Sequence, residues 1–243
     1  MLASDYLTNA QEVLRKIQET QMEAILTAAD WITDSLLAGG VFHAFGSGHS
    51  YIIAAEAHGR AGGLVPVQPI YDPAEGQAER LEGYAATVLN RYDVRPGEVL
   101  LIASNSGINA VPIEMALEAQ KRGLKVVAIT SMAHTRAAMP RHSSGKKLYE
   151  IADLVIDNCG IPGDAAIEVP GFPGRVGATS SIAGAAIVNA ITVQVAENLA
   201  ARGVTPPILI SANTEGGDEH NARIQAQYLD RLKRTMIPVY VKE

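Results

Sequence analysis

Cysteine, aromatic side chains and positive charge are all scarce in this 243-residue chain. A single cysteine, Cys159, cannot form an internal disulfide and leaves no cysteine-based zinc cluster to build. Aromatic residues make up 5% of the chain, too few for the stacking platforms that hold single-stranded nucleic acid. A formal net charge of −6 argues against a nucleic-acid partner, which requires basic surface to displace counterions. Also missing is the basic start and short apolar core of a secretory signal, because Asp5 and a polar stretch follow Met1 directly. What is present is 47% hydrophobic residues and 22 glycines. That apolar content offsets chain entropy and rules out intrinsic disorder, and the length suits one α/β-sized unit. One segment, Val176 to Ala196, carries no charge and is long enough to raise the question of a membrane span. Thr179, Ser180, Ser181, Asn189, Thr192 and Gln194 interrupt it, so it reads as a helix buried in protein. The expectation is a soluble, cytoplasmic protein with neither nucleic acid nor membrane as partner.

The first 38 residues carry Leu7, Ala10, Leu14, Ile17, Ile25, Ala28, Ile32 and Leu36 mostly at helical spacing, with Gln21 interrupting the stripe and Gly39-Gly40 ending it. One long helix or two in succession follow from this, packed either on a neighbouring subunit or on the chain's own domain. Residues 1–40 are thus read as a helical arm and 41–243 as the main domain. From Val41 the pattern changes to short apolar runs alternating with helical stretches. Strands are predicted over Val41–Phe45, Leu64–Ile70, Val99–Ala103, Val126–Thr130 and Leu154–Ile156, with Ile208–Ile210 as a further edge. Helices are predicted over Tyr51–Arg60, Gln77–Asn90 and Ala110–Arg122; Met132–Tyr149 and Gly160–Gly177 read as irregular. Continuous apolar strands joined by crossover helices imply a three-layer, doubly wound α/β fold with a mostly parallel five-stranded sheet. Ligands of such sheets sit beyond the carboxyl ends of the strands.

Those ends are rich in small polar residues. Gly46-Ser47-Gly48-His49-Ser50 follows the first strand, Ser104-Asn105-Ser106-Gly107 with Asn109 follows the third, and Thr130-Ser131 ends the fourth. Each could be no more than a helix cap. Their recurrence on one sheet edge points to hydroxyls and helix amides gathered around a phosphate monoester. No Gly-Lys-Ser/Thr follows the glycines, and Gly46-x-Gly48 lacks the third glycine of a dinucleotide fingerprint.

The pair Gly46-Ser-Gly-His-Ser-Tyr and Ser104-Asn-Ser-Gly, with Ala128-Ile-Thr-Ser131 after it, resembles the sugar isomerase (SIS) domain. The family includes phosphoheptose isomerase, arabinose-5-phosphate isomerase, N-acetylmuramic acid 6-phosphate etherase and the isomerase half of glucosamine-6-phosphate synthase. The likeness spans about Val41 to Leu199, and is nearest to uncharacterised single-domain members. The resemblance implies a flavodoxin-like sheet and a sugar phosphate held by Ser50, Ser104, Ser106 and Asn109; Ser47, Gly48, His49, Asn105 and Ser131, in the same strand-end segments, are further candidates. It also implies a homodimer or tetramer with sites near the subunit interface.

Aldose–ketose isomerisation needs a base that moves a proton between C1 and C2, and a second group that opens the ring. Glu75, Glu79 and Glu82 share one face if their segment is helical. Glu75-Gly-Gln-Ala-Glu79-Arg is similar to the etherase's Glu-Gly-Ala-Glu-Asp element, with one extra residue, and leaves Glu75 and Glu79 both open as the base, Glu79 favoured. Glu56 is a second candidate, with pairing to Arg60 at i+4 as the structural alternative. By family analogy His220, in Glu215-Gly-Gly-Asp-Glu-His220, would assist ring opening. Glu56 and Arg60 stand where phosphoheptose isomerase has its metal-binding histidine and glutamate, so neither a metal nor an organic cofactor is expected. Three readings remain: an isomerase working through an enediol, an etherase-type lyase on the same pocket, and a non-catalytic phosphosugar sensor.

Overall fold

The structure, a computed structural model, describes residues 1–232. Two helices open the chain, α1 (Leu2–Thr20) and α2 (Met22–Leu37). The break falls at Gln21, whose backbone leaves the helical region with φ −116°. Its side-chain oxygen accepts the Asp157 amide at 2.9 Å, so the interruption seen in the stripe anchors the helix pair to the sheet.

Five strands follow: β1 (Phe42–Gly46), β2 (Val67–Ile70), β3 (Val99–Ala103), β4 (Lys125–Thr130) and β5 (Leu154–Asp157). All pair in parallel, in the order β2-β1-β3-β4-β5. Between them run α3 (Tyr51–Glu56), α4 (Tyr84–Leu89), α5 (Ala110–Lys121) and α6 (Met132–Ala137). A β-hairpin, β6 (Ala165–Glu168) and β7 (Arg175–Ala178), leads into α7 (Ser180–Ala201), and α8 (Gly217–Gln225) comes last.

The two faces of β3 show why its run is apolar throughout. Val99, Leu101 and Ala103 pack with Phe42, Val127, Ile129 and residues of α1, α2, α3 and α7. Leu100 and Ile102 pack with Phe45, Ile70, Ala128 and residues of α4 and α5. Side chains of a strand alternate between faces, so a sheet covered on both sides demands apolar residues at every position. By length and composition α7 could cross a membrane. In this fold Ala183, Ile187, Val188, Ile191 and Val195 place one face of it in the core beside α2 and α3. Gly184 admits the approach of α3, because a Cβ there would overlap the Ile53 side chain.

Several boundaries differ from the expected ones. The second strand begins only at Val67; Leu64 forms an isolated antiparallel bridge with Ile208, which is all that the expected edge at 208–210 contributes. The helix at Tyr51 stops at Glu56. The helix expected over 77–90 is confined to Tyr84–Leu89. Residues 72–83 instead form consecutive turns, since Gly76 and Gly83 both adopt left-handed backbone with φ 85° and 83°. The two stretches read as irregular hold α6 and the β6–β7 hairpin.

At the amino edge of the sheet a buried charge cluster closes the fold. Glu98 accepts hydrogen bonds from the Val41 amide (3.0 Å), the Arg95 amide (2.8 Å) and the Arg231 guanidinium (2.6 Å), and faces His43 Nε2 at 2.7 Å. Burial pushes the Glu98 carboxyl upward, but the bonds from His43 and Arg231 outweigh it and hold the group down at about 2. A depressed carboxyl contributes stability above its ordinary value of 4.5 and loses it as pH falls towards 2. The stability gap between wild type and Glu98→Gln, measured by chemical denaturation, should therefore shrink by roughly 3 kcal/mol between pH 6 and pH 2. An unchanged gap would show that Glu98 is not the titrating group.

Candidate active site

The chain leaves β1 towards β2 on one side, then returns to place β3 on the other side of β1. Connections leaving β1 and β3 therefore diverge, and the topology of such a sheet places its ligand crevice at their carboxyl ends, where Gly46 lies opposite Ala103. The two serine-rich segments occupy this crevice.

Gly46 makes the first turn possible. A Cβ at this position would lie 2.2 Å from the Ser50 carbonyl oxygen, so no other residue lets the chain fold back into its helix. The Ser47 side chain is thereby carried inward. Ser47 is 4% exposed and its hydroxyl finds no hydrogen-bond partner among the described residues. A buried polar group left in this state calls for a ligand or an ordered water. Gly48 starts a short 3₁₀ turn through Ser50, with His49 exposed and Ser50 half-buried.

In the second segment Ser104 is buried, and its Oγ accepts the Gly107 amide at 3.2 Å. That bond uses a lone pair and leaves the hydroxyl proton to be donated. Asn105 is held by its neighbours: its Oδ1 accepts Asn158 Nδ2 at 2.8 Å and its carbonyl accepts the Ser131 amide at 3.0 Å. Ser106 is half-buried. Asn109, immediately before α5, accepts the Arg141 guanidinium on Oδ1 at 3.1 Å, which leaves its amide group as a donor. Ser131 differs from the others. Its hydroxyl donates to the Gly160 carbonyl at 2.6 Å and accepts the His134 amide at 3.2 Å, which caps α6. With both roles taken and the residue fully buried, Ser131 ties β4 to the segment after β5, and its hydroxyl has no proton left to donate to a phosphate.

The third component is the turn segment after β2. Gly76 lies against Gly48, where a Cβ would come within 2.5 Å of the Gly48 Cα. The Glu79 carbonyl accepts the Val111 amide in the first turn of α5 at 3.0 Å. The segment is organised by Asp72, which is buried and accepts the Ala74 amide, the Gly76 amide and the Tyr84 hydroxyl at 2.9, 3.0 and 2.9 Å.

This arrangement separates the acidic candidates, which do not share a helix face. Glu75 has left-handed backbone, and its carboxylate accepts the Tyr71 hydroxyl at 2.9 Å, a bond that raises the Tyr71 phenol above its ordinary range. Glu82 is turned to Ser143, accepting its amide at 2.7 Å and its hydroxyl at 2.6 Å. Glu56 accepts Asn189 Nδ2 at 2.7 Å and pairs with Arg60, so it joins α3 to α7. The Glu79 side chain is half-buried, and no hydrogen bond or ion pair engages its carboxylate among the described residues.

His220 does not reach this crevice within its own chain. Its Nε2 lies 3.1 Å from the Ile208 carbonyl, in the segment bridged to Leu64 just ahead of β2 at the opposite edge of the sheet. Two site-forming residues escaped the sequence reading. Asp72 carried a signal, an Asp-Pro turn directly after a strand. Arg141 belongs to a loop that returns to Asn109 across 32 positions, and no local spacing encodes such a return. Among the described residues, Glu82, Glu114 and His142 form the one group with the donor atoms to hold a metal ion.

Comparison with known proteins accords with this geometry. The SIS domain family model matches residues 5–131. A UPF0309 protein of Listeria monocytogenes is 39% identical over 227 residues, covering 93% of this chain and 97% of its own length. The fold is similar to a phosphoheptose isomerase from Francisella tularensis, with TM-score 0.55 and 16% identity over 80% of this chain and 96% of that one. It is also similar to the Vibrio vulnificus NanR protein complexed with ManNAc-6P, with TM-score 0.54 and 15% identity over 84% of this chain and 65% of that one. The chain thus belongs to the SIS domain family, and its similarity over nearly full length is to the UPF0309 proteins.

Proposed function

We propose that this chain is a phosphosugar isomerase of the cytoplasm. The observation that carries the reading is the Ser47 hydroxyl, buried and unpartnered at the carboxyl end of β1, beside the donors left on Ser104 and Asn109. Hydroxyl and amide donors converging on one crevice suit the oxygens of a phosphate monoester. The matching of a ManNAc-6P-bound fold and a phosphoheptose isomerase fold supports a sugar phosphate as the class of ligand.

In this reading the phosphate anchors an open-chain sugar, and its binding energy positions C1 and C2 near the turn segment. Glu79 takes the proton from C2 of the aldose, giving an enediol, and returns it to C1 to form the ketose; the hydroxyl proton moves from O2 to O1. The free carboxylate of Glu79 distinguishes it from Glu75, Glu82, Glu56 and Asp72, whose oxygens are engaged. A second copy of the chain completes the reading. Exposed Leu7 and Val193 on α1 and α7 offer it apolar surface, and ring opening by His220 would have to be supplied across such an interface.

Two measurements test this. Ser47→Ala removes an unpaired buried hydroxyl, so the ligand-free protein should keep or slightly gain stability. Its affinity for sugar phosphates should fall at least about tenfold, the worth of one hydrogen bond to a charged group. Equal affinity in the variant would remove Ser47 from the site. Incubation in D2O with a panel of aldose and ketose phosphates, followed by NMR, should show deuterium entering at C1 or C2. Glu79→Gln should slow that exchange by at least about 10²-fold. Binding without exchange across the panel would sink the isomerase reading and favour a sensor; undiminished exchange in the variant would refute Glu79 as the base.

A further inference from the structure

Beside the crevice, three chain segments bring unlike donor atoms to one point. Glu82 comes from the turns before α4, Glu114 from the second turn of α5, and His142 from the loop between α6 and β5. One ligand atom from each lies within 4.8 Å of the others. His142 Nε2 is 3.5 Å from Glu114 Oε1 and 3.9 Å from Glu82 Oε2. Both separations exceed the roughly 2.7–3.2 Å of an N–H···O hydrogen bond. They are close to the edge of a tetrahedron, about 3.3–3.6 Å, whose centre lies about 2.0–2.2 Å from nitrogen and oxygen ligands. The imidazole is 9% exposed, and it turns Nε2, which has no hydrogen-bond partner among the described residues, towards the two carboxylates at ion-pair distance.

Each donor is also held from behind. The Gly83 amide binds both oxygens of Glu114 at 2.7 and 2.9 Å. His142 Nδ1 lies 2.7 Å from Ser144 Oγ and accepts the Ser144 amide at 3.2 Å; with Nε2 as a ligand the Nδ1 proton would go to Oγ and the amide bond would be given up. The Ser143 amide and hydroxyl bind the two oxygens of Glu82 at 2.7 and 2.6 Å. Glu114 is 16% and Glu82 42% exposed, which opens one side of the cluster to water for the remaining coordination position.

From this geometry we propose that Glu82, Glu114 and His142 bind a divalent transition metal of the zinc class. One imidazole and two carboxylates match the nitrogen and oxygen preferences of Zn2+, whereas Mg2+ and Ca2+ favour oxygen alone. The ion would fasten two loops to α5: the turns that carry Glu79, and the loop whose Arg141 meets Asn109. It acts on the placement of those residues and stands apart from the phosphate donors. The proposal holds or fails independently of the isomerase reading, because its measurement is metal binding and not turnover.

The test uses the full chain without an affinity tag, stripped with a chelator and dialysed against Zn2+, with metal counted by mass spectrometry. About one Zn2+ per chain should bind with micromolar or tighter affinity, and Co2+ in its place should give visible absorption bands. His142→Ala and Glu82→Gln should each weaken binding at least about tenfold, and Ser143→Ala should weaken it by about 10–100-fold. His220→Ala, at the other edge of the sheet, should leave it unchanged. Glu82 is exposed, so its variant decides the matter even if His142→Ala fails to fold. No binding at 100-fold excess over a micromolar constant would overturn the proposal. So would binding that persists undiminished in Glu82→Gln, or a preference for Mg2+ over Zn2+.

Discussion

The pairing of β1 with β3 is the constraint on which the site depends. These strands are neighbours in the sheet but not in sequence, because β2 intervenes in the chain and lies on the far side of β1. Their register sets Gly46 against Ala103, so the residues that follow leave the sheet side by side and in different directions. Ser47 and Ser104 owe their proximity to this divergence and to nothing local. Had the strands been ordered as they occur along the chain, the same two serines would cap helices at separate places on the edge.

A second contact depends on the first. The turns after β2 can cross the β1 loop only because Gly76 and Gly48 meet without side chains. Asp72 keeps those turns in shape through two amides and a tyrosine hydroxyl. The far end of the segment is pinned where the Glu79 carbonyl meets the first turn of α5. The backbone of Glu79 is thereby fixed at the start of α5, close in the chain to Asn109. That juxtaposition is what gives the isomerase reading its chemistry, whereas the fold similarity alone extends to proteins of different roles.

The opposite edge of the sheet carries a different kind of polar cluster. Glu98 there is surrounded by donors from His43, Arg231 and two backbone amides, so the buried charge is satisfied and serves stability. Ser47 is buried to a similar degree, and its hydroxyl has no hydrogen-bond partner among the described residues. Unpartnered buried atoms occur at both edges, Ser35 Oγ and His43 Nδ1 among them beside Glu98, so it is the company of Ser104 and Asn109, and not burial alone, that sets Ser47 apart.

Much of the fold was legible in the sequence because buried parallel strands leave continuous apolar runs and glycines mark the turns after them. The five strands and the serine-rich segments at their ends follow from those signals, as does the break at Gln21. The β6–β7 hairpin was not legible, since its short strands are largely exposed and lack a strong apolar alternation. Nor was the fate of the acidic segment. Helical spacing placed Glu75, Glu79 and Glu82 on one face, but left-handed glycines and the grip of Asp72 turned them to three different surroundings. The sequence alone determined which residue types stand at the strand exits, because backbone period and burial restrict those positions. Only the tertiary structure decided which hydroxyls and carboxylates are already engaged, because Asn189, Ser143, Gly160 and Arg141 reach them from distant segments.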